Sequence, residues 1–305
     1  MASPKIEAVI RQRHQMAECP VWEEETGQLV YVDINGRSVC RWSPFTGEVQ
    51  TVGLRNRVGC VGLCQKGTYV VAAGTCLGLL DWGTQQVQWM AWLDRDKPHN
   101  RFNDGKVDPA GRFVAGELPK GEGMASAHRG SVERGRVLVF SRFIPLWLLT
   151  AHTDMAPTFL GEAAAAWEPS TLRCSGPVAS SQEGPSALSA EESTNPRILY
   201  HLQQGQGMPD GMCVDTAGKL WVACIDGGRV IRVDPETGTL LRTVHMPVSR
   251  VTSCSFGGPS YMDLYVTSAA DGLSQEQLLK EPQAGHVFKV TGLGVKGVAP
   301  HTFAG

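Results

Sequence analysis

The chain has 305 residues, a formal net charge of −2 and 42% hydrophobic content, enough apolar material for one globular domain with a sizeable core. The near-neutral balance leaves no electrostatic footprint for nucleic acid. The first residues lack the apolar run of a secretory leader, and the apolar stretch 137–149, broken by Arg142 and Pro145, falls short of the roughly 20 residues that span a bilayer.

In chain order, the first strand signal is Leu29-Val30-Tyr31-Val32. It is followed by a turn at Gly36, a strand through Trp42, a Thr46-Gly47 turn and a further strand from Val49. This is the hairpin grammar of antiparallel sheet. An aromatic followed by Val returns at Tyr69-Val70, Phe113-Val114, Trp221-Val222 and Tyr265-Val266, at intervals of 38, 44, 108 and 44 residues. A period of about 40–45 matches one four-stranded propeller blade. A longer unit also repeats. Asp104-Gly105-Lys106-Val107-Asp108-Pro109-Ala110-Gly111-Arg112 and Asp210-Gly211-Met212-Cys213-Val214-Asp215-Thr216-Ala217-Gly218-Lys219 share Asp-Gly, a short spacer, Val-Asp-x-Ala-Gly and a basic residue. The predicted fold is all-β, with the whole chain, 1–305, as a single propeller domain.

The 108-residue interval has room for one more copy, but none is legible there. Residues 119–193 hold an apolar run, four consecutive alanines (163–166) and a Ser/Pro/Glu-rich tract from Glu168 to Ser193. This segment reads as foreign to the repeat. It is expected to be poorly ordered, because such a composition buries too little apolar surface to offset its entropy.

The nine cysteines are scattered, with no Cys-x-x-Cys pair, so no zinc knuckle is indicated and the strand cysteines read as small core residues. No two His stand at metal-ligand spacing and there is no Gly-x-Ser-x-Gly elbow, which removes support for a His-metal site or a serine hydrolase. The run from Asp104 to Asp108 lacks the later ligands of an EF-hand. A reducing, cytoplasmic setting is expected.

Propellers carry chemistry at one end of the central channel, and three places send polar groups there. Glu18 stands just before a strand, in Ala17-Glu18-Cys19-Pro20-Val21-Trp22. Asp210 stands in Met208-Pro209-Asp210-Gly211. Arg101 and Asn103 flank Phe102. In an extended strand residues i and i+2 share a face, so Arg101 and Asn103 can address one ligand. Each also has a plainer reading. A Glu before a strand is commonly a solvated surface residue, and Arg-x-Asn can bridge two blades. Asp in Asp-Gly is commonly a turn residue, and that is the reading taken for Asp104.

These segments, together with Gly218-Lys219-Leu220-Trp221-Val222-Ala223-Cys224, Gly227-Gly228-Arg229-Val230-Ile231-Arg232 and Gly292-Leu293-Gly294-Val295-Lys296-Gly297, resemble the gluconolactonase family of senescence marker proteins. The resemblance covers about 5–117 and 195–305. It implies a six-bladed β-propeller, with one blade (about 119–193) disrupted here. It implies one divalent metal in the channel (Zn, Mn, Mg or Ca), with Glu18 and Asp210 as ligands. Arg101 and Asn103 would bind substrate, and Asp210 would also carry the proton. The implied reaction is metal-dependent hydrolysis of a sugar lactone, with calcium binding. The implied partner is the lactone alone, with no nucleic acid or membrane, acting on a monomer. The chain departs from the family at the third metal ligand, an Asn in an Asn-Gly-Leu-Asp-Trp segment that is absent from this sequence. An alternative is therefore a catalytically impaired propeller that only binds calcium or a partner.

Overall fold

The computed structural model describes residues 3–65, 67–93, 100–118, 136–140, 171–174 and 197–305. Strand β1 (Lys5–Ile10) comes first and is used last, as explained below. The first blade runs β2 (Ala17–Glu23), β3 (Gln28–Asp33), β4 (Ser38–Trp42) and β5 (Val49–Gly53), in that order across the sheet. The second runs β6 (Val58–Leu63), β7 (Thr68–Ala73), β8 (Cys76–Asp81) and β9 (Gln86–Trp92). The third blade has β10 (Arg101–Val107), β11 (Phe113–Leu118) and β12 (Arg136–Phe140). β13 (Thr171–Cys174) pairs with β14 (Arg197–His201). A further four-stranded blade is β15 (Met208–Val214), β16 (Leu220–Ile225), β17 (Arg229–Val233) and β18 (Leu240–His245). The last is β19 (Val251–Gly257), β20 (Asp263–Ser268) and β21 (Val287–Thr291), completed on its outer edge by β1, with Lys5 opposite Thr291.

The fold is the expected all-β propeller type. Every aromatic-Val pair found in the sequence sits on the second strand of a sheet: Tyr31 on β3, Tyr69 on β7, Phe113 on β11, Trp221 on β16 and Tyr265 on β20. None of these rings is more than 2% exposed. They pack between blades. Tyr265 stacks on Trp22 with centroids 5.4 Å apart, and Trp221 meets Phe256 edge-on at 5.5 Å. The repeat is thus a packing period: one large ring per blade fills the wedge to its neighbour.

The expectation of poor order across 119–193 lies outside the described residues, apart from two strands. The start of the apolar run, 136–140, forms β12, pairing Val139 with Val114. The third blade therefore reaches further along the chain than 117. One short helix, α1 (Gln275–Lys280), is closed by Ser274 and Gln277 in a reciprocal capping box, a signature of Ser-x-x-Gln that went unread in the sequence. Among the described residues no helix is long and apolar enough to cross a membrane.

Candidate active site at the channel mouth

The strands β2, β6, β10, β15 and β19 line the inside of their sheets and pack against one another. Each shifts register against its partner near its first residues. The shifts fall between Glu18 and Val21, Val58 and Cys60, Phe102 and Gly105, Pro209 and Met212, and Val251 and Ser253. A bulge leaves residues unpaired and re-aims their side chains. The bulged residues include Asn103, Asp104, Asp210 and Gly211, with Glu18 beside its own bulge. The shared irregularity brings three separate sequence segments to one end of the channel.

Glu18 is 4% exposed, and the Cys19 N–H donates to its Oε2 at 2.7 Å. Burial first, then the charges of Asp210 and Asp104, push its carboxyl well above the usual range. Asp210 is only half-buried as a residue, yet its Oδ2 is sealed from water and has no hydrogen-bond partner. Burial, then Asp104, pushes its pKa up to about 8, against a smaller opposing pull from Arg250. Arg101 Nη1 donates to Phe102 O at 3.0 Å and to Asn103 Oδ1 at 2.9 Å, so the two side chains do share a face as their spacing predicts. Glu18 and Asp210 both act to hold the Arg101 proton. The structure thus gathers Glu18, Arg101, Asn103 and Asp210 at one place.

Asp104 is a correction. It does not sit in a turn but inside β10, where the Gly105 N–H donates to its Oδ1 at 2.7 Å. Its charge acts on Glu18 and Asp210, and on Lys106 two residues on. Burial opposes the Lys106 ammonium, but Asp104 and nearby thiols outweigh it and raise its pKa. The turn lies further along each repeat and is built by its second Asp. Asp108 Oδ1 accepts from the Ala110 and Arg112 N–H groups, and Asp215 Oδ1 accepts from those of Ala217 and Lys219. Gly111 and Gly218, at φ +74° and +69°, complete these turns. The sequence signal for Asp104 was its place in the repeat: it aligns with Asp210.

Two carboxyls pushed upward by burial and by the Asp104 charge, one with an orphaned oxygen, make a donor set that suits a hard divalent cation. Among the described residues no group of three or more His, Cys, Asp or Glu converges on a metal position. The segment that would carry the family's third ligand is absent from this sequence.

The SMP-30/Gluconolactonase/LRE-like region family matches residues 16–139 and 185–270. Regucalcin of Xenopus laevis is 45% identical, with all of both chains covered. Among solved structures, a luciferin-regenerating enzyme is 26% identical with a TM-score of 0.78, covering 98% of this chain and 99% of that one. A calcium-binding protein, regucalcin, from Agrobacterium tumefaciens shares the fold at 20% identity and a TM-score of 0.79, covering 99% of each chain. By sequence along its length and by fold, the chain belongs to the SMP-30/gluconolactonase/LRE-like family.

Proposed function

We propose that the chain hydrolyses sugar lactones with the help of one divalent cation held by Glu18 and Asp210. The observation that carries this is the pair of buried carboxylates at the channel mouth, one with an oxygen lacking any partner, facing Arg101 and Asn103. Calcium is a natural candidate cation, since regucalcins are among the relatives. A cation bound there supplies Lewis-acid polarisation of the lactone carbonyl.

The chain's own groups do the rest. Arg101 and Asn103 donate to sugar hydroxyls and fix the ring. A water attacks the acyl carbon and gives its proton to the Asp210 carboxylate. The ring C–O bond then breaks, and the proton passes to the departing alkoxide oxygen, leaving an open hydroxy acid. The Asp104 charge raises that carboxylate and the Arg250 charge opposes it, while Lys106 favours the ionised form of Glu18.

The test is turnover of glucono-δ-lactone by the purified chain, chelated and then resupplied with calcium, zinc or manganese. Activity should vanish on chelation and return with metal. Asp210→Asn, which keeps the shape and removes the basicity, should lower kcat/KM by on the order of 10²–10⁴. Activity within a few-fold of the parent in that variant would overturn the assignment. A cation-binding protein without turnover is the second reading, favoured by the missing Asn-Gly-Leu-Asp-Trp segment. It predicts calcium binding that Glu18→Gln weakens, with no lactone hydrolysis under any metal.

A further inference from the structure

Arg57 immediately precedes β6, and Arg101 opens β10. The two strands touch backbone to backbone at Gly59, where an added Cβ would fall 2.5 Å from Asn103 O and closer still to Phe102 O. One residue joins their ends: the Gly74 N–H donates to Arg57 O at 2.8 Å, and Gly74 O accepts from the Phe102 N–H at 2.8 Å. Arg57 and Arg101 therefore stand on adjacent inner strands at the same end of the channel, where Glu18 and Asp210 lie. Arg57 is exposed at the rim and Arg101 is half-buried below it.

Burial, then the Arg57 charge, weighs against the Arg101 proton. Among the described residues no carboxylate makes an ion pair with either. Arg101 uses Nη1 on Phe102 O and Asn103 Oδ1, and among the described residues its Nε and Nη2 make no hydrogen bond. Among the described residues the negative charges that favour Arg101 are Glu18 and Asp210, which a divalent cation would neutralise. A neutral polyol needs Arg101 and Asn103 but gives no reason for a second guanidinium beside them.

We propose that Arg57 and Arg101 form a clamp for an anionic group on the substrate, a carboxylate or a phosphate ester on a carbon remote from the lactone carbonyl. The site then prefers acidic sugar lactones to neutral ones. Each guanidinium offers a planar fork of N–H donors that fits two oxygens of such a group, with charge-assisted bonds. That the ligand is a lactone rests on the hydrolase reading above. The anion clamp itself does not.

Two measurements separate the two claims. The first is kcat/KM for 6-phosphoglucono-δ-lactone, glucaro-lactone and glucono-δ-lactone, with the parent and with Arg57→Ala and Arg57→Lys. The second is calorimetric binding of 6-phosphogluconate, glucarate and gluconate to the same three proteins, which needs no turnover. The acidic compounds should be favoured about tenfold or more, the value of one charge-assisted contact. The preference should shrink in about 0.5 M salt. Arg57→Ala should bring the acidic-to-neutral ratio to near one, with Arg57→Lys between, at an unchanged melting temperature. The phosphate and carboxylate arms show which anion the clamp takes. An anion preference in binding without turnover of any lactone would sink the hydrolase reading and keep the clamp. Turnover with no preference, or a preference that survives Arg57→Ala, would overturn the clamp.

Discussion

At the scale of single residues, the site stores electrostatic tension that a cation would release. Glu18 and Asp210 are both pushed upward by burial and by the Asp104 charge, Asp210 to about 8. A carboxyl raised in the fold holds its proton more tightly there than in the unfolded chain. Its contribution to stability is therefore complete below the ordinary carboxylate range, about pH 4, and is lost as pH rises through about 8. The cation-free protein should lose melting temperature between about pH 4 and 8 on this account. A divalent cation binds the ionised pair, so its stabilising effect should grow over the same window. Melting curves with chelator and with calcium, taken across that range, read both trends. Parallel curves, with no growth in the calcium effect, would show that these carboxylates are not the cation site. Little of this was legible locally. A Glu before a strand looks like any surface residue, and Asp-Gly looks like a turn. The burial that distinguishes Glu18 and Asp210 exists only once strands far apart in sequence meet, so their roles came from resemblance, and Asp104 was read as a turn residue.

Elements explain why those strands can meet at all. Each inner strand carries its register shift at the same end, and glycine sits where backbones approach most closely. Gly59 has no room for a Cβ between β6 and the carbonyls of Phe102 and Asn103, and Gly211 has none against Ser253. Gly53, on the outer strand β5, has nothing within 4 Å. Gly59→Ala should therefore destabilise by about 1–3 kcal/mol, as overpacking does, and shift β6 against β10. Gly53→Ala should change stability by less than about 0.5 kcal/mol, as open surface positions do. Urea unfolding of both variants checks this, and equal costs would mean that the contact at Gly59 relaxes freely. Hairpins, Thr-Gly turns and the aromatic-Val strands were readable in the sequence because their signals are local. The bulges were not, since a bulge is defined by the partner strand. The strand 136–140 was missed for a related reason: its apolar run continues past Phe140, and nothing in the run itself marks where pairing with β11 stops.

Over the described residues, the first blade packs on the second, the second on the third, and the last on the first, so the first and last must be joined. The join is made by the N-terminus. β1 lies on the outer edge of the sheet that also holds β19, β20 and β21, with Ile6 opposite Val290 and Ala8 opposite Phe288. The chain then passes directly into β2 of the first blade. His14 fastens the crossing: its backbone N–H donates to Gly285 O at 2.9 Å, Nδ1 contacts the same oxygen at 2.9 Å, and Nε2 meets the Tyr31 hydroxyl at 2.9 Å. With Nδ1 protonated toward the carbonyl, Nε2 accepts from Tyr31, and burial keeps the ring neutral by lowering its pKa. The residues 293–305 add a second tie, with the Gly297 N–H on Tyr261 O and the Phe303 N–H on Leu63 O. Deleting residues 1–10 should leave β21 with an open edge, the apolar Ile10 and Ala8 contacts gone, and the His14 fastening without its lead-in strand. Such an edge pairs with other chains. The truncated protein should melt at a lower temperature and self-associate in size-exclusion chromatography, and a synthetic peptide of residues 1–12 added in trans should reverse both changes. An unchanged melting temperature and a monomeric profile would mean that the C-terminal tie closes the ring by itself and that β1 is dispensable.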